Sequence, residues 1–200
     1  LQKTGFLMRA IIGLIVLTTI PIASLYWWNH IDNQMRVFDI IDGELNLFPS
    51  NIIATTFIFV TDDCPISNRY APEVQRLTKY FQPLGIDFHL VYVKPNISKE
   101  EIKKHKEQFF SEMTSVLHDP FHDLVNFSEA IVTPQAAIFD ERKNLVYSGR
   151  IDDRYIDFGK QRPTVQKSDL EDALLNVMSN NLPNPKQTTA VGCYIRDLRR

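Results

Sequence analysis

The segment Ile52–Val60 (IIATTFIFV) contains only aliphatic, aromatic and threonine side chains and carries no charge. A strand this apolar must be covered on both faces, as happens inside a largely parallel sheet. Four residues after it stands Cys64, followed by Pro65. Proline favours the first turn of a helix, where its missing N–H would have no partner in any case. The sequence therefore predicts a buried strand that runs into a helix, with a cysteine at the junction.

Strand and helix patterns alternate along the rest of the chain. The predicted helices run from 65 to about 81, from 98 to about 110, over 121–127 and from 168 to about 178. The predicted strands are 86–93, 116–117, 136–139 and 145–147, with an N-terminal hairpin of 37–41 and 45–47 about Asp42-Gly43. Such alternation predicts an α/β fold with a mixed central sheet and helices on both faces. Its last two strands must be antiparallel, because a short turn joins them.

The N-terminal residues 10–28 contain no charge and follow Lys3 and Arg9. This length is sufficient to span a bilayer, and the basic residues favour a cytoplasmic N-terminus. We expect a single-pass anchor in the inner membrane, with the domain on the periplasmic side; a cleaved signal peptide and a buried helix are the alternatives. The predicted organisation is an anchor and linker (1–34), a domain (35–180) and a C-terminal tail (181–200).

Charge and histidine placement exclude some functions. The formal net charge is −2 and no basic stripe occurs, which argues against nucleic acid as a partner. His118 and His122 are four residues apart, but Pro120 between them would interrupt a helix. His89 alternates with apolar neighbours and is interpreted as a packed residue. We therefore expect neither a metal site nor a cofactor.

Cys64 is a candidate nucleophile, because the positive end of a helix dipole and its free N–H groups favour a thiolate. Asp62 and Asp63 oppose this through their negative charge, for which Arg69 is a candidate counterion. The alternative is a buried structural cysteine.

Several motifs carry a resemblance to a known family. They are CPISNRY (64–70), TPQAAIFD (133–140), GRIDDRY (149–155), SDLEDAL (168–174) and VGC (191–193). Together with the element order they resemble the thioredoxin superfamily, in its redoxin (AhpC/TSA-like, TlpA-like) branch of exported bacterial proteins, over roughly residues 36–195. The resemblance implies a three-layer α/β/α fold. It also implies a cis Thr133-Pro134 bond that packs against the active cysteine and shapes a groove for the partner.

The departures from that family limit the chemistry. Ser67 stands where thioredoxins have the second, resolving cysteine, so a local dithiol cycle is excluded. Thr61 and Cys64 match half of the peroxiredoxin motif, but Phe57 replaces its proline. The peroxiredoxin arginine is missing near Pro134, which leaves Arg69 and Arg150 as candidate substitutes. Asn68 excludes the Cys-x-x-x-Cys pair of the copper-delivering relatives.

The second cysteine, Cys193, lies thirteen residues after Asn180. An extended chain of that length covers about 43 Å, which is enough to cross a domain with a radius of gyration of about 15 Å. Gly192 permits a close backbone approach. A Cys64–Cys193 bond would close a loop of about 130 residues, worth roughly 5 kcal/mol on a chain-entropy account. A reversible disulfide, a permanent one and two unpaired thiols all stay open.

These observations predict a membrane-tethered, exported thiol-disulfide redox protein. Cys64 would be the nucleophile, Cys193 the resolving thiol, and Thr61 with the helix N-terminus would stabilise the thiolate. Arg150 and Arg154 would line the thiol site, unless they belong to a solvated turn. Expected partners are a protein thiol or disulfide, membrane-associated or a c-type cytochrome. The alternatives are a non-catalytic binding module of the same fold and a thiol peroxidase.

Overall fold

The computed structural model of the protein describes residues 35–41 and 45–196. The predicted membrane span at 10–28 and the predicted Asp42-Gly43 turn lie outside these residues. Across the described part of the chain, no helix combines the length and the apolar character that crossing a bilayer requires.

A six-stranded mixed sheet forms the centre of the domain, with the strand order β1-β4-β3-β2-β6-β7. Its strands are β1 Phe38–Asp39, β2 Ala54–Val60, β3 Ile86–Tyr92, β4 Val116–His118, β6 Gln135–Asp140 and β7 Leu145–Gly149. Strands β2, β3 and β4 are parallel, whereas β1, β6 and β7 run antiparallel to their neighbours. The predicted mixed sheet and its closing antiparallel hairpin are confirmed.

Within residues 35–41 and 45–196, four α-helices and two small two-stranded sheets complete the fold. The helices are α1 Pro65–Phe81, α2 Lys99–Phe109, α3 Asp123–Phe127 and α4 Asp169–Met178, with a 3-10 turn at Gln82–Leu84 after α1. The small sheets pair β5 Val132–Thr133 with β10 Cys193–Tyr194, and β8 Tyr155–Asp157 with β9 Lys160–Gln161. Neither small sheet was predicted from the sequence, because strands of two or three residues are too short to show a period.

Strand β2 is buried over its whole length, as its composition predicts. On one face, Ile58 belongs to a core with α1, α2 and α4 residues. On the other, Phe57 contacts Phe48 and Phe139 edge to face, at centroid distances of 5.6 and 5.8 Å. Truncating a phenylalanine buried this deeply typically costs about 3–5 kcal/mol. The strand that leads to Cys64 is therefore rigidly held.

The predicted N-terminal hairpin is wrong. Strand β1 pairs antiparallel with β4, through Phe38 and His118, and residues 45–47 form no strand. Leu47 is instead buried, next to Phe48 in the aromatic cluster. The segment fills the face of the sheet because apolar burial there outweighs the hydrogen bonds of a short exposed hairpin.

A serine followed three residues later by a glutamate predicts a capping box at two helix starts, Ser98 to Glu101 and Ser168 to Glu171, and the two outcomes differ. At the start of α2, the Ser98 hydroxyl accepts from the Glu101 N–H, and Glu101 accepts from the Ser98 N–H at 2.8 Å. At the start of α4, Ser168 makes no capping hydrogen bond through its side chain. The first prediction is confirmed and the second is wrong.

This difference supplies a matched pair of variants. Ser98→Ala should lower the free energy of unfolding by about 1 kcal/mol, because it removes a formed N-cap. Ser168→Ala should change it by a few tenths at most. Urea unfolding followed by circular dichroism measures both, and equal losses for the two variants would contradict the assignment.

Candidate thiol site

Cys64 is the N-cap of α1, directly after β2, as the sequence predicts. Its sulfur accepts a hydrogen bond from the Ser67 N–H at 3.5 Å, and Pro65 occupies the first helical position. The cysteine side chain thus takes the place of the serine or aspartate that usually caps a helix. The sulfur lies in the field of the helix N-terminus.

The segment around Pro134 lies against this sulfur. The Thr133-Pro134 peptide bond is cis, as the resemblance implies. Cys64 Sγ donates to the Thr133 carbonyl oxygen at 3.0 Å. The hydroxyl oxygens of Thr61 and Thr133 are 3.3 Å apart. Thr133, Pro134 and Thr61 are therefore all brought to the thiol site, with Thr61 in contact with Thr133.

Gln135 holds this segment in place and was missed from the sequence. Its amide donates to the Glu129 carbonyl at 3.1 Å and to Ser148 Oγ at 2.9 Å. Its side-chain oxygen accepts from the Ile131 N–H at 3.1 Å. The sequence did offer one signal for this role. Gln135 stands directly before four apolar residues (136–139), and a polar side chain buried in such a strand must find hydrogen-bond partners.

Residues 186–195, called here the C-terminal segment, bring the second thiol to the first. Strand β10 pairs antiparallel with β5, with Cys193 opposite Thr133. The Ile195 N–H donates to the Ile131 carbonyl at 3.0 Å. Both cysteines are free thiols, and each side chain shifts the pKa of the other.

The C-terminal segment encloses the Cys64 sulfur. Cys64 is 0% exposed, whereas Cys193 is partly exposed and the neighbouring Tyr194 is 87% exposed. Gly192 makes this approach possible, because a Cβ atom there would lie 2.1 Å from the Thr133 carbonyl oxygen. A partner can therefore reach Cys64 only after a neighbouring element has moved, and the two-residue strand β10 is among the shortest elements at the site.

The two thiols differ in acidity. Burial acts to raise the pKa of Cys64, but hydrogen bonds from Cys193 and Ser67 outweigh it and hold the pKa below its ordinary value. Burial, the hydrogen bond to Cys64 and the Cys64 charge raise the pKa of Cys193 to about 12. Of the two sulfurs, Cys64 is the one whose environment favours the thiolate form.

The acidic residues beside Cys64 have a cationic partner that the sequence did not indicate. Lys94 Nζ lies 3.0 Å from Asp62 and 3.2 Å from Asp63. Within the described residues, the predicted counterion Arg69 is exposed and makes no ion pair. Because Lys94 follows β3, the neighbour of β2, only the sheet order reveals this contact.

The GRIDDRY motif contacts the CPISNRY helix through Tyr70. The Tyr70 hydroxyl donates to the buried Asp152 carboxylate, and the Arg154 guanidinium lies 5.1 Å from the Tyr70 ring centroid. Arg150 pairs with Asp169 at 2.7 Å. In the described part of the chain neither arginine forms an ion pair with a thiol, and their contacts are with carboxylates. The two motifs meet at Tyr70, almost two helical turns beyond the cysteine.

His118 and His122 each bond a different backbone carbonyl. His118 Nε2 bonds the Lys94 carbonyl at 3.0 Å, and His122 Nε2 bonds the Val93 carbonyl at 2.7 Å. Among residues 35–41 and 45–196, no three His, Cys, Asp or Glu side chains form a group able to hold a metal ion.

Solved structures show which fold this is. An uncharacterized conserved protein from Geobacillus kaustophilus is 23% identical, with a TM-score of 0.68 over 83% of this chain and 89% of that chain. A hypothetical protein from Sinorhizobium meliloti is 19% identical, with a TM-score of 0.64 over 75% and 82%. The exposed lipoprotein thioredoxin of Streptococcus pneumoniae is 17% identical, with a TM-score of 0.51 over 72% and 98%.

The fold is therefore thioredoxin-like, as predicted. The sequence matches no protein-family model. No match was found among curated proteins.

The acidity of Cys64 should depend on the group at position 193. Cys193→Ala removes the side-chain donor and should raise the pKa of Cys64, whereas Cys193→Ser keeps an O–H donor and should raise it less. Thiolate absorbance in the ultraviolet, followed against pH, gives the pKa directly. If both variants titrate like the wild type, the thiol of Cys193 has no effect on the pKa of Cys64.

The exposure of Cys64 should depend on Gly192. In Gly192→Ala the new methyl group meets the Thr133 carbonyl, so β10 must separate from β5 and uncover the sulfur. We expect faster alkylation of Cys64 by a maleimide in a Cys193→Ser background, with an unchanged unfolding midpoint. Ala190→Ser in the same background is the control, and equal alkylation rates would contradict the covering role.

Proposed function

We propose that the protein is a thiol-disulfide redox protein that acts through Cys64 and is resolved by Cys193. The observation that supports this most strongly is that Thr133, next to the cis peptide bond, contacts both cysteines: its carbonyl oxygen lies 3.0 Å from Cys64 Sγ, and its backbone pairs with Cys193. The helix N-terminus and the hydrogen bond from the Ser67 N–H favour a thiolate at Cys64, whereas the bond that the thiol donates to the Thr133 carbonyl acts against it. The second thiol, missing from position 67, is supplied from the C-terminal segment.

The proposed reaction has two exchange steps. The Cys64 thiolate attacks one sulfur of a partner disulfide, forms a mixed disulfide and releases the first partner thiolate. The Cys193 thiolate then attacks Cys64 Sγ, forms the Cys64–Cys193 disulfide and releases the second partner thiolate. The partner disulfide gains two electrons, and the cysteine pair loses them. A dithiol protein would return the pair to its reduced state.

The acidities of the two thiols fit this order. In the resting pair, the charge of Cys64 contributes to the raised pKa of Cys193. Once Cys64 is part of a mixed disulfide it carries no charge, and this contribution disappears. Cys193 then ionises more readily, at the step that requires its thiolate.

A non-catalytic binding module is the second candidate, and the burial of Cys64 favours it. A thiol with 0% exposure resembles a structural cysteine, and β10 would then be a fixed part of the fold. The thiol peroxidase has less support, because a peroxide would have to reach this covered sulfur. In addition, the described contacts of Arg150 are with Asp169 and the C-terminal segment.

We also propose that the domain is exported and held at the membrane by residues 10–28, where a membrane-associated thiol protein or a c-type cytochrome domain would be its partner. The uncharged length of that segment and its basic flank support this. An oxidising compartment would suit a cysteine pair that cycles.

The redox proposal is tested by equilibrating the full chain with oxidised glutathione and weighing it by mass spectrometry. The wild type should lose two hydrogen atoms and regain them with reduced glutathione. Cys193→Ala should retain one glutathione on Cys64, since nothing resolves the mixed disulfide. Cys64→Ser should form no internal disulfide.

Reduction of insulin by the dithiol form tests the same proposal on a protein disulfide. Activity should be lost in Cys64→Ser and strongly reduced in Cys193→Ala. If both wild-type thiols stay free in excess oxidised glutathione while the urea-unfolded chain is oxidised, the binding module is correct instead.

A further inference from the structure

The C-terminal segment is attached to the domain at two separate places. One is the β5–β10 pairing at the thiol site. The other is on β7, where Ser148 and Gln187 form a parallel bridge. There the Ser148 N–H donates to the Lys186 carbonyl at 3.1 Å, and the Thr188 N–H donates to the Ser148 carbonyl at 3.2 Å. The segment leaves β7 after Thr188 and reaches β5 at Cys193.

The hydroxyl of Thr188 is fully used in the second attachment. Its oxygen lies 2.7 Å from the Tyr147 hydroxyl and accepts from the Arg150 N–H at 3.0 Å. The Tyr147 O–H itself donates to the Arg150 carbonyl at 2.6 Å, so Thr188 donates to the Tyr147 oxygen. Because Tyr147 is a buried core residue, this attachment is tied to the rigid part of the domain.

The strand beside Thr188 is shaped for this contact. A Cβ atom at Gly149 would lie 2.1 Å from Thr188 Oγ1 and 2.7 Å from the Thr188 carbonyl oxygen. Any larger residue at 149 would therefore push the C-terminal segment away from β7. This close contact explains why the GRIDDRY motif has a glycine at position 149.

We infer that Thr188 is a positioning residue of the redox cycle, an inference that rests on the function proposed above. Cys64 becomes accessible when β10 leaves β5, and that separation also removes Cys193 from Cys64. The attachment at Thr188 is independent of β5 and remains. Cys193 then stays within five residues of a fixed point, about 17 Å of extended chain.

The length of the free chain sets how often Cys193 returns. With residues 186–188 attached to β7, five residues lead from Thr188 to Cys193. If that whole attachment opens, the free chain begins after Asn181, whose N–H donates to the Asn176 carbonyl, and twelve residues lead to Cys193. Effective concentration falls roughly as the −3/2 power of length, so loss of the attachment lowers it roughly fourfold. Thr188 thereby favours resolution over release of the partner.

The experiment measures the effective concentration of Cys193 for Cys64 in glutathione buffers. Oxidised glutathione takes two electrons and two protons from the cysteine pair, which gives the Cys64–Cys193 disulfide and two reduced glutathione molecules. Thr188→Val keeps the shape and removes the hydroxyl, Thr188→Ser restores it, and Thr188→Ala removes it without added bulk. The exposed neighbour Thr189→Val is the matched control.

Thr188→Val and Thr188→Ala keep the two backbone bonds to β7 but lose the hydroxyl contacts that fix them, so we expect the effective concentration to fall by up to roughly fourfold. Thr188→Ser and Thr189→Val should stay close to the wild type. A general loss of structure would also shift the urea midpoint, which should stay in place. If the wild type forms the disulfide and Thr188→Val matches Thr189→Val, the positioning role is wrong and the redox function stands. If the wild type forms no disulfide, both are wrong.

Discussion

The position of Thr133 decides how the thiol site is built. Its carbonyl oxygen accepts from Cys64, its backbone pairs with Cys193, and its hydroxyl contacts Thr61. One residue thus joins the end of β2, the start of α1 and the C-terminal segment. The two cysteines lie side by side because all three elements contact the same residue.

Hydrogen bonds of the neighbouring residues Gln135 and Ser148 hold Thr133 in place. Gln135 ties the turn at 129–131 to the strand that follows, and Ser148 connects that strand to β7. Ser148 also carries the backbone bridge to the C-terminal segment. A network of buried polar groups such as this holds its members in one arrangement when all are satisfied. The sheet therefore positions both ends of the segment that covers Cys64.

The sequence predicts the parts of this fold that have a clear period or a strong local signal. The burial of β2 follows from its composition, and the Cys64-Pro65 junction follows from proline's preference for a helix start. The length of the tail showed that Cys193 could reach Cys64, but nothing in residues 180–195 indicated a strand. A two-residue strand is created by its partner, here β5, and not by its own propensity.

The ion-pair partners of the charged residues near Cys64 were also not predicted from the neighbouring sequence. Arg69 is near Cys64 in sequence, yet the cation that pairs with Asp62 and Asp63 is Lys94, from the next strand of the sheet. Similarly, Arg150 and Arg154 are close to the motif's own carboxylates and to Asp169. Ion pairs join residues that the strand order brings together, and strand order was not available from the sequence alone.

The enclosure of Cys64 also bears on how the protein withstands oxidants. A sulfur with thiolate character is prone to progress from sulfenic to sulfinic and sulfonic acid, the last two being damage that thiols do not reverse. That progress requires access as well as ionisation, and Cys64 has 0% exposure while β10 is in place. Small oxidants are thus kept from a reactive group by the same two-residue strand that holds its companion thiol beside it.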